Sequence, residues 1–170
     1  MRRALACLAA LTTACSTPAH DAAFRPLIVG DSAPAYAVRT LAGDSVRVGA
    51  GAPVLLNVWA TWCTSCREEM ADLAALERSY APRGVRVLAV SVDAGDGSRV
   101  RRFAEAEQLP FAVAHDPGGV VQQRFQAVGV PETYLISADG RLLWVRRGGL
   151  HGAPAAVRAT LDSVVAGLKR

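Results

Sequence analysis

Cys63 and Cys66 stand two residues apart in the stretch Trp59-Ala-Thr-Trp-Cys-Thr-Ser-Cys66. Cysteines at this spacing serve as a local staple, as part of a metal site, or as a dithiol that exchanges electrons with another molecule. A structural zinc takes four ligands, and beyond this pair the chain after its first fifteen residues offers only His20, His115 and His151, none at paired spacing. A disulfide closing so short a loop removes little chain entropy and ties nothing distant. Two thiolates suit the soft ion Cu(I), so a copper carrier stays open. Exchange needs one thiol that ionises and attacks and a second, held back, that resolves the mixed disulfide. Which use applies depends on where the pair sits.

The elements around the pair are readable. Pro53 to Trp59 is a nearly continuous apolar run, the pattern of a central strand covered on both faces, and it ends at the cysteines. Met70, Leu73, Leu76 and Tyr80 then recur at helical spacing, with Glu68, Glu69, Asp72 and Glu77 between them. Pro82-Arg-Gly84 stops that helix, and Val85 to Val92 is a second buried-strand pattern, so strand, helix and strand form a parallel βαβ unit. Cys63 therefore falls where the first N–H groups of a helix are unpaired and its dipole is positive. Cysteines in such settings have pKa values of about 3.5 to 7.5, against about 8.5 when free. Cys66, one turn further in, is expected to stay a thiol until it resolves.

Around this unit, Val38 and Val46 to Val48 flank Leu-Ala-Gly-Asp and read as a hairpin. Ser98 is expected to cap a helix carrying Val100, Phe103 and Leu109, and Phe111 to Ala114 is a short extended piece. Asp116-Pro117 reads as the start of a helix with Val121, Phe125 and Val128 on one face. Thr133 to Ile136 and Leu142 to Val145 form an antiparallel hairpin, and Val157, Leu161, Val164 and Leu168 mark one face of a closing helix.

At 170 residues, 51% of them apolar, the chain suits one domain with a substantial core. Its basic side chains are eighteen Arg and one Lys against fifteen acids, a formal +4. Without Arg2 and Arg3 the excess is +2, too small and too dispersed to argue for nucleic acid. Those two arginines precede the apolar run Ala4 to Leu11, which is followed by small residues ending at Cys15, the form of an export signal. Leu-Thr-Thr-Ala-Cys15 resembles a bacterial lipobox, which implies lipidation of Cys15, although Thr12 stands where Leu is usual and Ser16 leans toward the outer membrane of a diderm cell. Residues 1–15 are thus expected to be a leader, 16–28 a tether and 29–170 the domain. No later run reaches the ~20 apolar residues of a transmembrane helix.

The cysteine motif followed by Arg67-Glu-Glu-Met70, together with Gly129-Val-Pro131-Glu-Thr-Tyr-Leu-Ile136, resembles the thioredoxin superfamily, and more narrowly its exported TlpA/ResA/CcmG, AhpC/TSA-redoxin-like branch. The resemblance implies a thioredoxin-like α/β fold, with a central mixed sheet flanked by helices and an N-terminal hairpin. It implies Cys63 as nucleophile, Cys66 as resolving thiol, and a cis Val130–Pro131 bond facing them. Trp62, Thr64, Ser65 and the Val130 backbone would contact substrate, while Trp59 would be core. It also implies no cofactor and no metal, and protein disulfides as substrates, such as those of apocytochrome c or of copper-centre assembly proteins. The electrons would come from a membrane donor of the DsbD/CcdA type, outside the cytoplasm in the periplasm or on the membrane's outer face.

Three positions depart from the relatives. Thr64-Ser65 stands where many have Pro between the cysteines, which opens the direction of reaction. Asn57 replaces the buried Asp of thioredoxins, so a carboxylate base would be Glu132, its alternative being a solvated residue at the rim. Ala71 stands where many relatives carry a helix proline. A peroxidase reading draws on Gly30-Asp-Ser-Ala-Pro34, which resembles the start of peroxiredoxins, but their Thr three residues before the reactive cysteine is Ala60 here.

Overall fold

The computed structural model describes residues 24–151 and 155–168. Its centre is a five-stranded mixed sheet of β3 (Val54–Trp59), β4 (Arg86–Ser91), β5 (Ala112–His115), β6 (Glu132–Ile136) and β7 (Leu142–Arg147), with β1 (Tyr36–Arg39) and β2 (Ser45–Val48) as a separate antiparallel hairpin. The order is β5-β4-β3-β6-β7. β3, β4 and β5 run parallel, whereas β6 is antiparallel to both β3 and β7. The helices are α1 (Thr64–Glu68), α2 (Met70–Tyr80), α3 (Ser98–Ala106), α4 (Val120–Phe125) and α5 (Ala155–Leu168). Among the described residues no helix is long and apolar enough to cross a membrane.

Strand alternation divides the core in two. Leu55 and Trp59 of β3 point to one face, where they join Leu73 and Leu76 of α2, Val100 of α3, and Val157 and Leu161 of α5. Val54, Leu56 and Val58 point to the other, against Tyr36 and Val48 of the hairpin and Val121 and Phe125 of α4. All six residues of β3 are buried. A strand covered on both faces reads as an unbroken apolar run, and the one polar member, Asn57, lies on the α2 face between Leu55 and Trp59.

Several local details differ from the sequence expectations. Ser98 is the first helical residue of α3 rather than its cap; Gly97 takes that position with φ +77°, and the Asp96 carboxylate accepts the Ser98 N–H at 3.0 Å. α4 starts at Val120, three residues later than Asp116-Pro117 suggested, because Asp116 accepts the Val121 N–H at 2.7 Å across an intervening turn. α4 ends at Gln126 in the left-handed conformation, so Val128 is exposed instead of continuing the helical face. On α5, Val157, Leu161 and Val165 are buried while Leu168 is exposed, since the helix's stripe drifts away from the sheet in its last turn. Leu27, within the segment read as a tether, is buried, and Arg147 donates to its carbonyl at 2.8 Å.

Leu56→Ala is expected to cost about 2 to 5 kcal/mol in guanidinium chloride unfolding, and Leu168→Ala less than about 0.5 kcal/mol. Equal losses would mean that the last turn of α5 packs as its periodicity implied.

Candidate functional site

β3 delivers the chain to its cysteines through a tight turn: Trp59 is fully buried, the Cys63 N–H reaches the Ala60 carbonyl at 3.2 Å, and the Val92 N–H holds the Trp59 carbonyl at 2.9 Å. Cys63 is the N-cap of α1 and forms a disulfide with Cys66, their Cα atoms 5.2 Å apart. The Cys66 N–H donates to the Cys63 sulfur at 3.2 Å. Cys63 keeps 8% of its surface and Cys66 none, so of the two residues only the first is open to solvent at all. Thr64 and Ser65 lie between them at the surface and partly buried, respectively, with the Ser65 hydroxyl 3.5 Å from the Cys63 sulfur.

The loop before β6 closes over this turn. The Val130–Pro131 peptide is cis, and the Val130 carbonyl lies 3.8 Å from the Cys63 sulfur. Trp62, beside Cys63, is 61% exposed. A cavity of about 310 Å³ opens against Trp62, lined by Asp93, Gly97, Arg99 and Arg102 among others. The larger cavity, about 700 Å³, lies at the opposite end of the sheet between the hairpin and α3 and contains neither cysteine, so its size carries no weight for the chemistry here.

Glu132 does not sit where a base for this pair would have to be. It follows Pro131 on β6, but it is only 1% exposed, and strand alternation turns it, with Tyr134 and Ile136, to the α4 face, away from Cys66. Its Oε2 accepts the Val128 N–H at 2.9 Å. Its Oε1 is 3.1 Å from Arg147 Nε, an ion pair without hydrogen-bond alignment. Glu132 is therefore neither a solvated rim residue nor a free base; it is a buried brace between the cis-Pro loop and β7.

The carboxylate on the cysteine side is Glu69. It lies between α1 and α2, at the break where the helix loses its register, and it is 1% exposed. Oε1 accepts from Asn57 Nδ2 at 2.7 Å and Oε2 from the Leu150 N–H at 2.8 Å. Asn57 Nδ2 also donates to Thr133 Oγ1 at 2.9 Å. Burial pushes the Glu69 carboxyl up to about 7, against the opposing pull of the Leu150 and Asn57 hydrogen bonds. This group is divided between its two protonation states near neutral pH. The sequence carried a sign of it: Cys66, Glu69 and Leu73 recur at helical spacing on the buried stripe, so an acid there had to face the core.

A second buried acid, Asp93, follows β4 in the loop beside the turn. It grips Thr61, two residues before Cys63, while Arg67 Nη1 holds the Thr61 carbonyl at 2.8 Å. Among the described residues no group of three or more His, Cys, Asp or Glu side chains could hold a metal ion. Cys15 lies outside the described residues.

Comparison with known proteins fits this geometry. The AhpC/TSA family profile matches residues 29–145. Thiol-disulfide oxidoreductase ResA of Oceanobacillus iheyensis is 34% identical over 128 residues, spanning 72% of this chain and 66% of that protein. ResA of Bacillus thuringiensis subsp. konkukian is 32% identical over 122 residues, 71% of this chain and 70% of its own. A structure from Chlorobium tepidum, assigned as the thiol:disulfide interchange protein DsbE, superposes with TM-score 0.72 at 29% identity, covering 82% of this chain and 99% of that one. With a profile match over most of its length and ResA relatives above 30% identity, the chain belongs to the AhpC/TSA family, among its thioredoxin-fold, ResA-like members.

Proposed function

We propose that the protein is a thiol–disulfide oxidoreductase that reduces disulfides of exported proteins through Cys63 and Cys66. The observation that carries this reading is the asymmetry of the pair: Cys63 keeps a small opening to solvent under a cis-proline loop, and Cys66 is wholly buried one helical turn behind it. The ResA and DsbE names of the relatives support the same reaction class.

In the reduced protein the Cys63 thiolate accepts the Cys66 N–H and attacks one sulfur of a substrate disulfide, forming a mixed disulfide and releasing one substrate thiolate. The Cys66 thiol then passes its proton toward the Glu69 carboxylate and attacks the Cys63 sulfur, releasing the second substrate sulfur as a thiolate, which takes its proton from solvent, and leaving the disulfide seen here. The exposed Trp62, together with Thr64 and Ser65, forms the surface a substrate segment meets, and the Val130 backbone is available to pair with it. A membrane dithiol donor of the DsbD/CcdA type would restore the thiols, and apocytochrome c or copper-centre assembly proteins are the substrate candidates. Residues 1–15 would direct export and place a lipid on Cys15, and residues 16–28 would connect this anchor to the domain at 29–170, outside the cytoplasm.

Cys66→Ser is expected to accumulate a mixed disulfide with an oxidised model peptide, detectable by mass, and Cys63→Ser to form none. Trapping by Cys63→Ser alone would reverse the assignment of the two sulfurs.

Glu69→Gln is expected to slow resolution at pH 7 by about 10²-fold and to erase the rise in rate through pH 7 that the wild type shows as Glu69 loses its proton. The same raised carboxyl implies a stability cost. The folded protein holds this proton while the unfolded chain, near its ordinary 4.5, has released it, so stability falls as pH rises from about 4.5 to about 7, by an amount on the order of 3 kcal/mol. Denaturant midpoints at pH 5 and pH 8 for wild type and Glu69→Gln check this; parallel pH dependences would remove Glu69 as the cause.

A further inference from the structure

Asp93 has more hydrogen bonds than its place in a loop requires. Its Oδ2 accepts the Thr61 N–H at 2.8 Å and the Ser91 hydroxyl at 2.6 Å, and its Oδ1 accepts the Thr61 hydroxyl at 2.5 Å. Its own N–H returns to Ser91 Oγ at 3.1 Å, and His115 Nε2 meets its carbonyl at 2.7 Å. The side chain is 3% exposed and forms no ion pair within contact distance among the described residues. Burial opposes its ionisation, but the Ser91 and Thr61 hydrogen bonds and the field of Arg99 outweigh that cost and hold the carboxyl below its usual range. A fixed negative charge is thus bonded to the chain two residues ahead of the reactive sulfur. It also shares the lining of the cavity beside Trp62, the immediate neighbour of Cys63.

We propose that Asp93 is a positioning residue that fixes the turn leading into Cys63 and, through its buried charge, favours the Cys63–Cys66 disulfide over the dithiol, so making the reduced protein a stronger reductant. This rests on the exchange reaction proposed above and adds the group that sets its driving force. Reduction by dithiothreitol transfers two electrons and two protons to the disulfide, while dithiothreitol closes to its own cyclic disulfide. To the extent that Cys63 then ionises, its proton passes to solvent. A negative charge near the sulfur disfavours that ionisation, which removes part of the stabilisation of the reduced state. Thr61 acts on the effect in two ways: its N–H and hydroxyl partly neutralise the carboxylate and so moderate its field, and the same bonds hold the backbone that carries Cys63.

Equilibration with dithiothreitol redox buffers, read by Trp fluorescence, tests this together with thiolate absorbance at 240 nm across pH. In Asp93→Asn the equilibrium is expected to move about tenfold toward the dithiol, a potential about 30 mV less negative, with a lower Cys63 pKa. Thr61→Val keeps the charge but removes one of its donors, so the shift is expected in the opposite direction by about two- to threefold, with Thr61→Ser restoring the wild-type value. A merely structural Asp93 would lower the melting temperature and leave both potentials within about twofold of wild type, and that outcome overturns the proposal; so do shifts of the same sign in the two variants. If Asp93→Asn does not fold, the Thr61→Val and Thr61→Ser pair decides the sign alone. Failure of the wild type to equilibrate with dithiothreitol would instead sink the exchange reaction itself.

Discussion

The carboxylate of Glu69, buried with its two oxygens held by different parts of the chain, is the constraint around which the site is arranged. One oxygen ties it to Asn57 in the middle of β3, the other to the Leu150 backbone in the segment after β7. Taking an acid out of water in this way requires partners for both oxygens, and an acid without them would cost several kcal/mol. Meeting that requirement fixes three things together. α2 is held over β3, the chain after β7 is drawn against the same face, and the helix after the cysteines breaks at the residue whose side chain turns inward. Ala71 stands in the helix just after this break, which occurs at Glu69 without a proline.

The cysteines are flanked by two buried acids in different environments. Glu69 has two hydrogen bonds and is pushed up by burial, while Asp93 has three and is held down by them. A group near its midpoint can take and give a proton during a reaction, and an acid whose pKa is held below its usual range stays ionised at neutral pH and supplies a constant field. The mixed sheet makes room for both. Glu69 comes from the break between α1 and α2 and bonds Asn57 of β3, while Asp93 comes from the loop after the parallel neighbour β4 and bonds the turn at Thr61.

Much of this arrangement was legible in the residues. The unbroken apolar run of β3, the βαβ unit and the hairpin of β6 and β7 follow from period and composition, because a strand covered on both faces leaves no room for polar alternation. The cysteines and Pro131 stand out by type and spacing. The acids were harder to place. Glu132 drew attention by adjacency to Pro131, yet one step along a strand sends a side chain to the opposite face, where Arg147 meets it. Glu69 is one of four acids, with Glu68, Asp72 and Glu77, set between the apolar positions, and its register with Cys66 and Leu73 marks it as inward. Asp93 depends on contacts across 32 residues of sequence, and no local pattern announces them.

The small exposed area of Cys63 constrains which molecules can be substrates at all. Cys63, with 8% of its surface open beneath the Val130 loop and next in sequence to Trp62, is reached more readily by a disulfide carried on an extended, thin strand of chain than by one on a broad surface. Disulfides enclosed in finished, compact domains cannot adopt that shape without unfolding. Those in chains still maturing can. On the exchange reaction proposed above, the fold would therefore favour a target by its state of assembly as well as by its sequence.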